Sequence, residues 1–328
     1  MAVNVLKSLA RVRIKVIGGP FSSLRGRYSN DSGYEFIYDA DCTDYDWLVV
    51  FDEMPIAYES LSCTREHTIL CTWEPVSIKR YSHAYTRQFG HLLTNRPPEA
   101  ELHPHYHLGR GYFPWFVHGF PTVVGSIEKT EELSVVCSAK KMRHTEHHSR
   151  YRLVEALSAA LPNIAWFGKG VRPLEHKIDA LLPYKYHVVV ENHIGRHHWT
   201  EKLSDAFLCE CLPFYAGDPA IADALPPNSF IPIPLNDPEC AVRIIRRSIS
   251  DGEYEKRRAA VLQAKRLILS KYNFWAQVIE VIESVGSASV SYQGDERGKI
   301  YSRRKLRWHS LAALQEDAWY HLRKAMKF

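Results

Sequence analysis

The part of the chain that most constrains its fold runs from Tyr186 to Gly217, with the sequence YHVVVENHIGRHHWTEKLSDAFLCECLPFYAG. It opens with a short apolar, β-branched run over 186–190, which is typical of a buried parallel strand. A polar loop follows, and Thr200 is a suitable N-cap for a helix over 200–210. A second apolar run begins at 212. This order of strand, helix and strand predicts an α/β fold built on a parallel sheet.

Ionisable and polar side chains gather in the loop between that strand and helix. Glu191 and Asn192 follow the strand, and Glu201 and Lys202 open the helix. Ligands of open α/β sheets bind beyond the carboxyl ends of the strands, and a helix N-terminus with a lysine in its first turn favours phosphate. The sequence therefore predicts a ligand site here, with a nucleotide as the first expectation.

Alternating strands and helices extend on both sides of this stretch, which is typical of a doubly wound sheet. Strands are expected at 134–138, 163–167, 186–190, 212–215 and 229–233, and helices near 148–160, 200–210, 237–249, 253–270 and 273–284. The N-terminal part has strand candidates at 12–17, 35–38, 47–51 and 68–73. A run over 118–129 punctuated by Gly and Pro predicts a linker. We therefore expect an acceptor-binding domain over 1–125, a nucleotide-binding domain over 126–290 and a tail over 291–328.

The polar loop and its flanks resemble the α-1,3-fucosyltransferases (glycosyltransferase family ten), whose donor-site signature is similar to F-E-N-x(5)-Y-x-T-E-K, an apolar helix and P-x-Y-x-G-x-P. The resemblance is carried by Glu191-Asn192, Thr200-Glu201-Lys202, Pro213-Phe214-Tyr215-Ala216-Gly217-Asp218-Pro219 and Asn228-Ser229-Phe230-Ile231. It covers residues 134–275. Two positions depart from the pattern, because His198 stands where the family has Tyr and Val190 where it has Phe. These departures bear on the choice of sugar more than on the fold.

The resemblance implies a GT-B architecture, with two Rossmann-type domains facing a cleft. It also implies an inverting, metal-independent transferase that moves L-fucose from GDP-fucose to a hydroxyl of a bacterial surface glycan, such as a lipopolysaccharide or capsule precursor. A transferase using another GDP-sugar, heptose or mannose, is one alternative. A non-catalytic glycan-binding protein of the same fold is the other.

The same resemblance assigns roles to residues of the donor site. Lys202 and Arg150 are expected to meet the diphosphate, Lys202 as a point charge and Arg150 as a fork. For Arg150, an exposed surface charge and a role for Arg152 instead are the alternatives. Glu191 is expected either to brace the loop or to contact the donor. The remaining donor-site candidates are Asn192, His198, Thr200 and Glu201, with Tyr215 and Gly217 in support.

A candidate general base lies in the N-terminal part, in the segment Trp73-Glu74-Pro75. It follows the strand candidate at 68–73, and proline after Glu74 favours an extended backbone that can aim the carboxylate. The segment resembles the E-S-P sequence that holds the catalytic carboxylate of the family. A glutamate in an ordinary surface turn is the alternative interpretation.

Two other patterns suggest metal ligands. His103, His105 and His107 alternate, as ligands on one face of a strand would, and Asp39-Ala-Asp41 is similar to the D-x-D of metal-dependent transferases. Neither has a supporting partner in the sequence, so we expect no metal and no cofactor besides the donor.

Cysteine content and apolar runs bear on the compartment. The 7 cysteines include no C-x-x-C pair, and no apolar run reaches the length of about 18 residues that spans a membrane. Met1–Lys15 has no uninterrupted apolar segment typical of a signal peptide. We therefore expect a cytoplasmic protein.

The charge is placed unevenly. After Gln293 there are 9 basic and 4 acidic residues, a difference equal to the whole formal net charge of +5. The tail also carries Trp308, Leu311, Leu314, Trp319 and Leu322 at near-helical spacing. This pattern favours peripheral contact with the inner membrane or with a second subunit, and a helix packed on its own body is the alternative. The rest of the chain has no basic stripe, so nucleic acid is not an expected partner.

Overall fold

The computed structural model describes residues 11–19, 21, 27–29, 33–76, 78–100, 103–111, 127–139, 146–286 and 298–325. The chain divides into two compact units. Unit 1 comprises Met1–Leu108 with Val278–Phe328, and unit 2 comprises Gly109–Gln277. The boundary expected at 125 falls in a segment outside the described residues. The last part of the chain groups with unit 1, although the sequence pattern sets it apart as a tail.

The secondary structure alternates along both units. The strands are β1 (Val12–Gly18), β2 (Arg27–Ser29), β3 (Tyr34–Ile37), β4 (Trp47–Phe51), β5 (Tyr58–Ser60), β6 (Thr68–Thr72), β7 (His91–Thr94), β8 (Tyr106–Leu108), β9 (Glu131–Val136), β10 (Ala165–Phe167), β11 (Tyr184–Val190), β12 (Leu212–Ala216), β13 (Ile231–Pro232) and β14 (Lys299–Tyr301). The helices are α1 (His83–Thr86), α2 (His147–Ala160), α3 (Glu201–Leu208), α4 (Pro238–Ser250), α5 (Glu253–Ser270), α6 (Phe274–Val285), α7 (Arg303–Leu306) and α8 (Leu311–Ala325).

Unit 1 is built on a sheet with the strand order β2-β3-β1-β4-β6-β7-β8. Only β2 runs antiparallel to its neighbour; the other pairs are parallel. Every residue of β4 and of β6 is buried, as expected of strands covered on both faces. Because β4, β6 and β7 are neighbours and parallel, the loops that follow them leave the same edge of the sheet side by side.

Unit 2 contains an all-parallel sheet with the strand order β10-β9-β11-β12-β13. Numbered within the unit, this is the order 2-1-3-4-5 of doubly wound folds, which reverses direction between the first and third strands. The reversal therefore lies between β9 and β11. Helix α3 packs on the sheet through Leu203, Ala206 and Phe207, none of which is exposed. The predicted fold class, two Rossmann-like α/β units, is confirmed.

The C-terminal segment of the chain packs on unit 1. Strand β14 pairs antiparallel with β5, and Ile300, Leu306 and Ala313 join the apolar core of that unit. Most of the apolar side chains that the sequence pattern singled out point outward instead. The exposed ones are Trp308 (81% exposed), Leu311 (78%), Leu314 (50%) and Trp319 (52%).

No helix among the described residues combines the length and the apolar character needed to cross a membrane.

Candidate functional site

The loop after β11 is organised by one fully buried carboxylate, Glu191. Its Oε1 accepts a hydrogen bond from the Thr200 amide at 2.9 Å, and its Oε2 accepts one from the Thr200 hydroxyl at 2.7 Å. The Thr200 hydroxyl oxygen in turn accepts the Lys202 amide and caps α3. Glu191 and Thr200 thus fix the start of the helix, which satisfies a carboxylate that would otherwise be costly to bury.

Lys202 reaches back over this cap. Its Nζ lies 2.9 Å from the Thr200 hydroxyl, 3.2 Å from Glu201 Oε1 and 3.5 Å from Glu191 Oε2. Burial opposes the charge of Lys202, but Glu201 and Glu191 outweigh burial and raise its pKa. For Glu201, burial favours the neutral acid, whereas Lys202 and Lys177 lower the pKa to about 2. Both side chains are therefore charged at neutral pH.

Arg150 is a buried cation at the first turn of α2, with 6% of the residue exposed. Its Nη1 donates to Asn192 Oδ1, and its Nη2 lies 3.9 Å from Cys137 Sγ. Within the described part of the chain, no carboxylate forms an ion pair with its guanidinium, and its Nε is buried without a hydrogen-bond partner. A buried cation in this state is costly unless an anion joins it. Arg152, the alternative from sequence, is exposed.

A cavity of about 440 Å³ opens at the carboxyl edge of the unit 2 sheet. Its walls include loops that follow β9, β10 and β11, so it lies where the strand order reverses, the usual ligand position in such sheets. The volume is within the range of about 300–1,000 Å³ found for small-molecule sites. Its lining consists of Val136, Ser138, Arg150, Gly168, Lys169, Leu174, Glu175, Lys177, His187, Val188, Val189, Val190, Asn192, Glu201 and Lys202.

Positive charge predominates in this lining, which carries four basic side chains and two acidic ones. Lys177 forms an ion pair with Asp205: its Nζ lies 2.6 Å from Oδ2 of this fully buried carboxylate. Lys202 is shared between two carboxylates, whereas Arg150 has none among the described residues. The arrangement favours an anionic ligand that binds at Arg150.

The predicted donor-site residues thus fall into two groups. Arg150, Asn192, Glu201 and Lys202 line the cavity, whereas Glu191, His198, Thr200, Tyr215 and Gly217 are not part of its lining. Burial, the largest influence, lowers the pKa of His198 to about 4, so its ring is neutral at neutral pH.

Tyr215 and Gly217 shape the turn after β12. The Tyr215 hydroxyl accepts the Asp218 amide at 2.9 Å, and a Cβ on Gly217 would lie 2.2 Å from the same oxygen and 2.8 Å from Glu191 Cγ. Any side chain at this position would push on the buried carboxylate. Tyr215 and Gly217 therefore support the site by fixing the shape of this turn.

Sequence reasoning missed the residues that the loop after β10 contributes, chiefly Lys169, Glu175 and Lys177. Gly168 has φ +143, and a Cβ there would lie 2.4 Å from the Cys137 carbonyl oxygen. Glycine is therefore what lets this loop approach the end of β9. The position of Gly168 and Lys169 directly after a predicted strand was a usable signal. No local signal marks Glu175 and Lys177.

The candidate base lies in unit 1. The segment Trp73-Glu74-Pro75 follows β6, as predicted, and Glu74 is half-buried. The Arg96 guanidinium donates to the Glu74 backbone carbonyl through Nε at 3.0 Å and Nη2 at 2.8 Å. The backbone of the loop that carries Glu74 is thus held by a side chain from the end of β7, the next strand in the sheet.

One side chain in each metal-like pattern makes local hydrogen bonds. The Asp41 amide donates to Asp39 Oδ1 at 3.0 Å, so the first aspartate closes its own turn. His103 bonds the Phe89 carbonyl and the His105 amide with its two ring nitrogens. Over the described ranges, no group of three or more His, Cys, Asp or Glu side chains is arranged to hold a metal ion.

Two Rossmann-like units, one with a basic cavity at its topological switch point, are the components of a GT-B type of fold. Among solved structures, the chain is similar to an α1,3-fucosyltransferase crystallised with GDP-fucose, with a TM-score of 0.56 and 14% identity over 90% of this chain and 96% of that one. A crystal structure of α1,3-fucosyltransferase with GDP gives a TM-score of 0.55 and 15% identity over 87% and 92%. No protein-family model and no curated protein sequence matches the chain. At such identities the likeness establishes the fold.

Proposed function

We propose that this protein is a glycosyltransferase that binds a GDP-sugar in the unit 2 cavity and transfers L-fucose to a hydroxyl of a bacterial surface glycan, a lipopolysaccharide or capsule precursor. The observation that carries the proposal is Arg150. It is a buried cation without a carboxylate partner among the described residues, and it lines a cavity at the switch point of a parallel sheet. The similarity in fold to a fucosyltransferase crystallised with GDP-fucose supports this choice of donor.

Different cavity residues bind different parts of the donor. Arg150 and Lys202 contact the diphosphate and neutralise the charge that develops on GDP as it leaves, so no metal or other cofactor is required. Asn192 already orients the Arg150 fork before the donor arrives. Glu201, ionised at neutral pH, accepts hydrogen bonds from ribose or sugar hydroxyls.

Glu74 acts as the general base in a single inverting displacement. The acceptor oxygen forms a bond to the anomeric carbon while the bond from that carbon to the phosphate oxygen breaks. The acceptor proton passes to the Glu74 carboxylate, and GDP leaves with the bonding electrons. A direct displacement of this kind inverts the anomeric centre.

A second candidate uses the same cavity with another GDP-sugar, heptose or mannose. It is favoured by His198, a buried neutral imidazole where the family pattern has a tyrosine. A non-catalytic glycan-binding protein remains the alternative from a different class. It would retain the cavity and have no transfer activity.

We further propose that the exposed apolar face of the C-terminal segment contacts the anionic surface of the inner membrane, on the cytoplasmic side, where a lipid-linked acceptor would be presented. Trp308 and Leu311 are largely exposed, and Arg304 and Lys305 beside them are exposed cations. Aromatic side chains with flanking basic residues are suited to an anionic interface. A homodimer formed through this face is the competing outcome.

Calorimetric titration with GDP, GDP-fucose, GDP-mannose, a GDP-heptose and UDP-glucose, each in EDTA, tests the donor assignment. GDP and GDP-fucose should bind without metal, and UDP-glucose should bind more weakly. Absence of GDP binding would contradict the proposal. Binding lost on chelation and regained with manganese or magnesium would contradict its metal independence.

A further inference from the structure

Three neighbouring strand ends of unit 1 converge on the backbone of the loop that carries Glu74. Strands β4, β6 and β7 are adjacent and parallel, so their carboxyl ends lie side by side. The residue after β4 is Asp52, the residues after β6 are Trp73 and Glu74, and those after β7 are Asn95 and Arg96. Side chains of the loops after β4 and β7 bind the backbone of the loop after β6, which lies between them.

Arg96 makes the strongest of these contacts. Only 4% of the residue is exposed, and both Nε and Nη2 donate to the Glu74 carbonyl oxygen, at 3.0 and 2.8 Å. Its Nη2 also donates to the Lys79 carbonyl, and its guanidinium lies 4.5 Å from the centroid of the Tyr81 ring. A planar fork can bridge two carbonyls while it stacks on an aromatic ring, which an ammonium group cannot reproduce.

Asp52 and Asn95 hold the preceding residue. Asp52 Oδ1 accepts the Trp73 amide at 3.0 Å and also the Tyr81 hydroxyl, and Asn95 Nδ2 donates to the Trp73 carbonyl at 3.0 Å. Asp52 has φ +59, a left-handed conformation that is uncommon for a residue with a side chain. Backbone strain of this kind persists where the surroundings fix it, often at functional sites.

The backbone on both sides of the Glu74 Cα is thus held by side chains. A surface turn would leave these groups to water, whereas here three polar side chains are assigned to them. We propose that Arg96 is a positioning residue for Glu74 and that Asp52 and Asn95 complete the clamp. This inference rests on the proposed role of Glu74 as the general base, and it requires no contact between Arg96 and the substrate.

Steady-state kinetics of Arg96→Ala test the proposal. Because a displacement of the base by about 1 Å can slow a reaction about 100-fold, kcat should fall about 10- to 100-fold while GDP affinity stays unchanged. Arg96→Lys should restore little, since it lacks the fork. Arg65→Ala is the control, because the exposed Arg65 also donates to a backbone carbonyl of unit 1, that of Gln88 at 2.6 Å, and its replacement should leave kcat unchanged.

The coupling to Glu74 is measured in a double-mutant cycle. In the Glu74→Gln background, adding Arg96→Ala should change the residual rate by less than about twofold. The carboxylate that Arg96 positions is absent in this background, so the loss of Arg96 has no base to displace. Equal losses in both backgrounds would overturn the proposal. A kcat loss that Arg65→Ala reproduces would also overturn it.

Hydrogen exchange provides a readout that does not depend on activity. Exchange in the peptide that contains Trp73 and Glu74 should rise selectively in Arg96→Ala and, if that variant folds poorly, in Asn95→Ala. Unchanged or uniformly raised exchange would overturn the clamp. A wild-type protein without any transfer activity would instead refute the proposed function, and exchange would still decide whether the backbone is clamped.

Discussion

Individual residues in and beside the cavity are linked by hydrogen bonds and ion pairs that fix their charges. Glu191 is buried and accepts hydrogen bonds from Thr200, Glu201 is ionised by Lys202 and Lys177, and Arg150 is a buried cation without a carboxylate partner among the described residues. Sequence patterns place Glu191, Asn192, Glu201 and Lys202 correctly after a strand and at a helix start. They do not reveal which of them face the cavity, because that depends on how the loop folds back on itself.

Replacement of Lys202 by alanine should weaken GDP binding by about 1.5–3 kcal/mol, the scale of a hydrogen bond to a charged group. The loss of the ammonium also removes a neighbouring positive charge from Glu201 and Glu191, which acts in the same direction by leaving more negative charge near the phosphates. Lys185→Ala is the control, since Lys185 pairs with Glu255 on the exposed surface of the same unit. Calorimetric titration of the two variants measures the difference. Equal affinities would remove Lys202 from the donor site.

Two buried histidines of unit 2 should make stability depend on pH. Burial lowers the pKa of His187 to about 3 and that of His198 to about 4, well below the usual value of about 6.5. As the pH falls from 6.5 towards 4, the unfolded chain binds protons that the folded chain excludes, so stability falls. Each such group contributes on the order of 1.4 kcal/mol per pH unit in this window. The carboxylate of Glu201 contributes only at lower pH.

Urea unfolding at pH 7.5, 6 and 5 measures this slope. Glutamine cannot titrate, so His187→Gln should reduce the dependence of the unfolding free energy on pH. This holds whether or not the variant is less stable overall. A stability that is independent of pH in the wild type over this range would show that these imidazoles are not held neutral by the fold.

Elements with a strong periodic pattern were predictable, and short elements with distant partners were not. Helix α5 was predicted over 253–270 and has those bounds, and β11 was predicted two residues shorter than it is. Strand β14 was missed, because its three residues carry no local signal and are stabilised by pairing with β5 far along the chain. This pairing, together with Ile300 and Leu306 in the core, is why the C-terminal segment belongs to unit 1.

The exposed face of the C-terminal segment gives a separate prediction. A Trp308→Ser, Leu311→Ser double variant should lose sedimentation with anionic vesicles at low salt and keep GDP binding. Each exposed basic residue near such a surface contributes about 1 kcal/mol before screening, so high salt should weaken the wild type as well. Ile194→Ser, at an exposed apolar residue of unit 2, is the control.

Point substitutions are preferable here to truncation, since removing the segment would also remove Ile300, Leu306 and Ala313 from the core. Failure of the intact protein to sediment would contradict the membrane contact. Dimerisation that the double variant abolishes would assign the same face to a second copy.

Over the described residues, each unit is built on a sheet whose strands are mainly parallel, and this much followed from the sequence because apolar strand runs alternate with helical periods in both halves. The edge strand β8 and its neighbour β7 were not among the predicted strands, since they have only three and four residues and neither carries an apolar run longer than two. The cavity was predicted at the loop after β11 and at Arg150, on the helix that follows β9. The wall formed by the loop after β10 was missed, because it depends on the approach of that loop to the end of β9, a tertiary contact.

The proposed sugar transfer, with Glu74 as its general base, is tested most directly by Glu74→Gln. The measurement is GDP release from GDP-fucose in the presence of an array of bacterial surface oligosaccharides, with GDP affinity determined on the same preparation. We expect acceptor-dependent release by the wild type and by the control Glu66→Gln, with most turnover lost in Glu74→Gln and GDP affinity nearly intact. Near wild-type release by Glu74→Gln would contradict the assignment of the base and direct attention to Asp52 or Glu53.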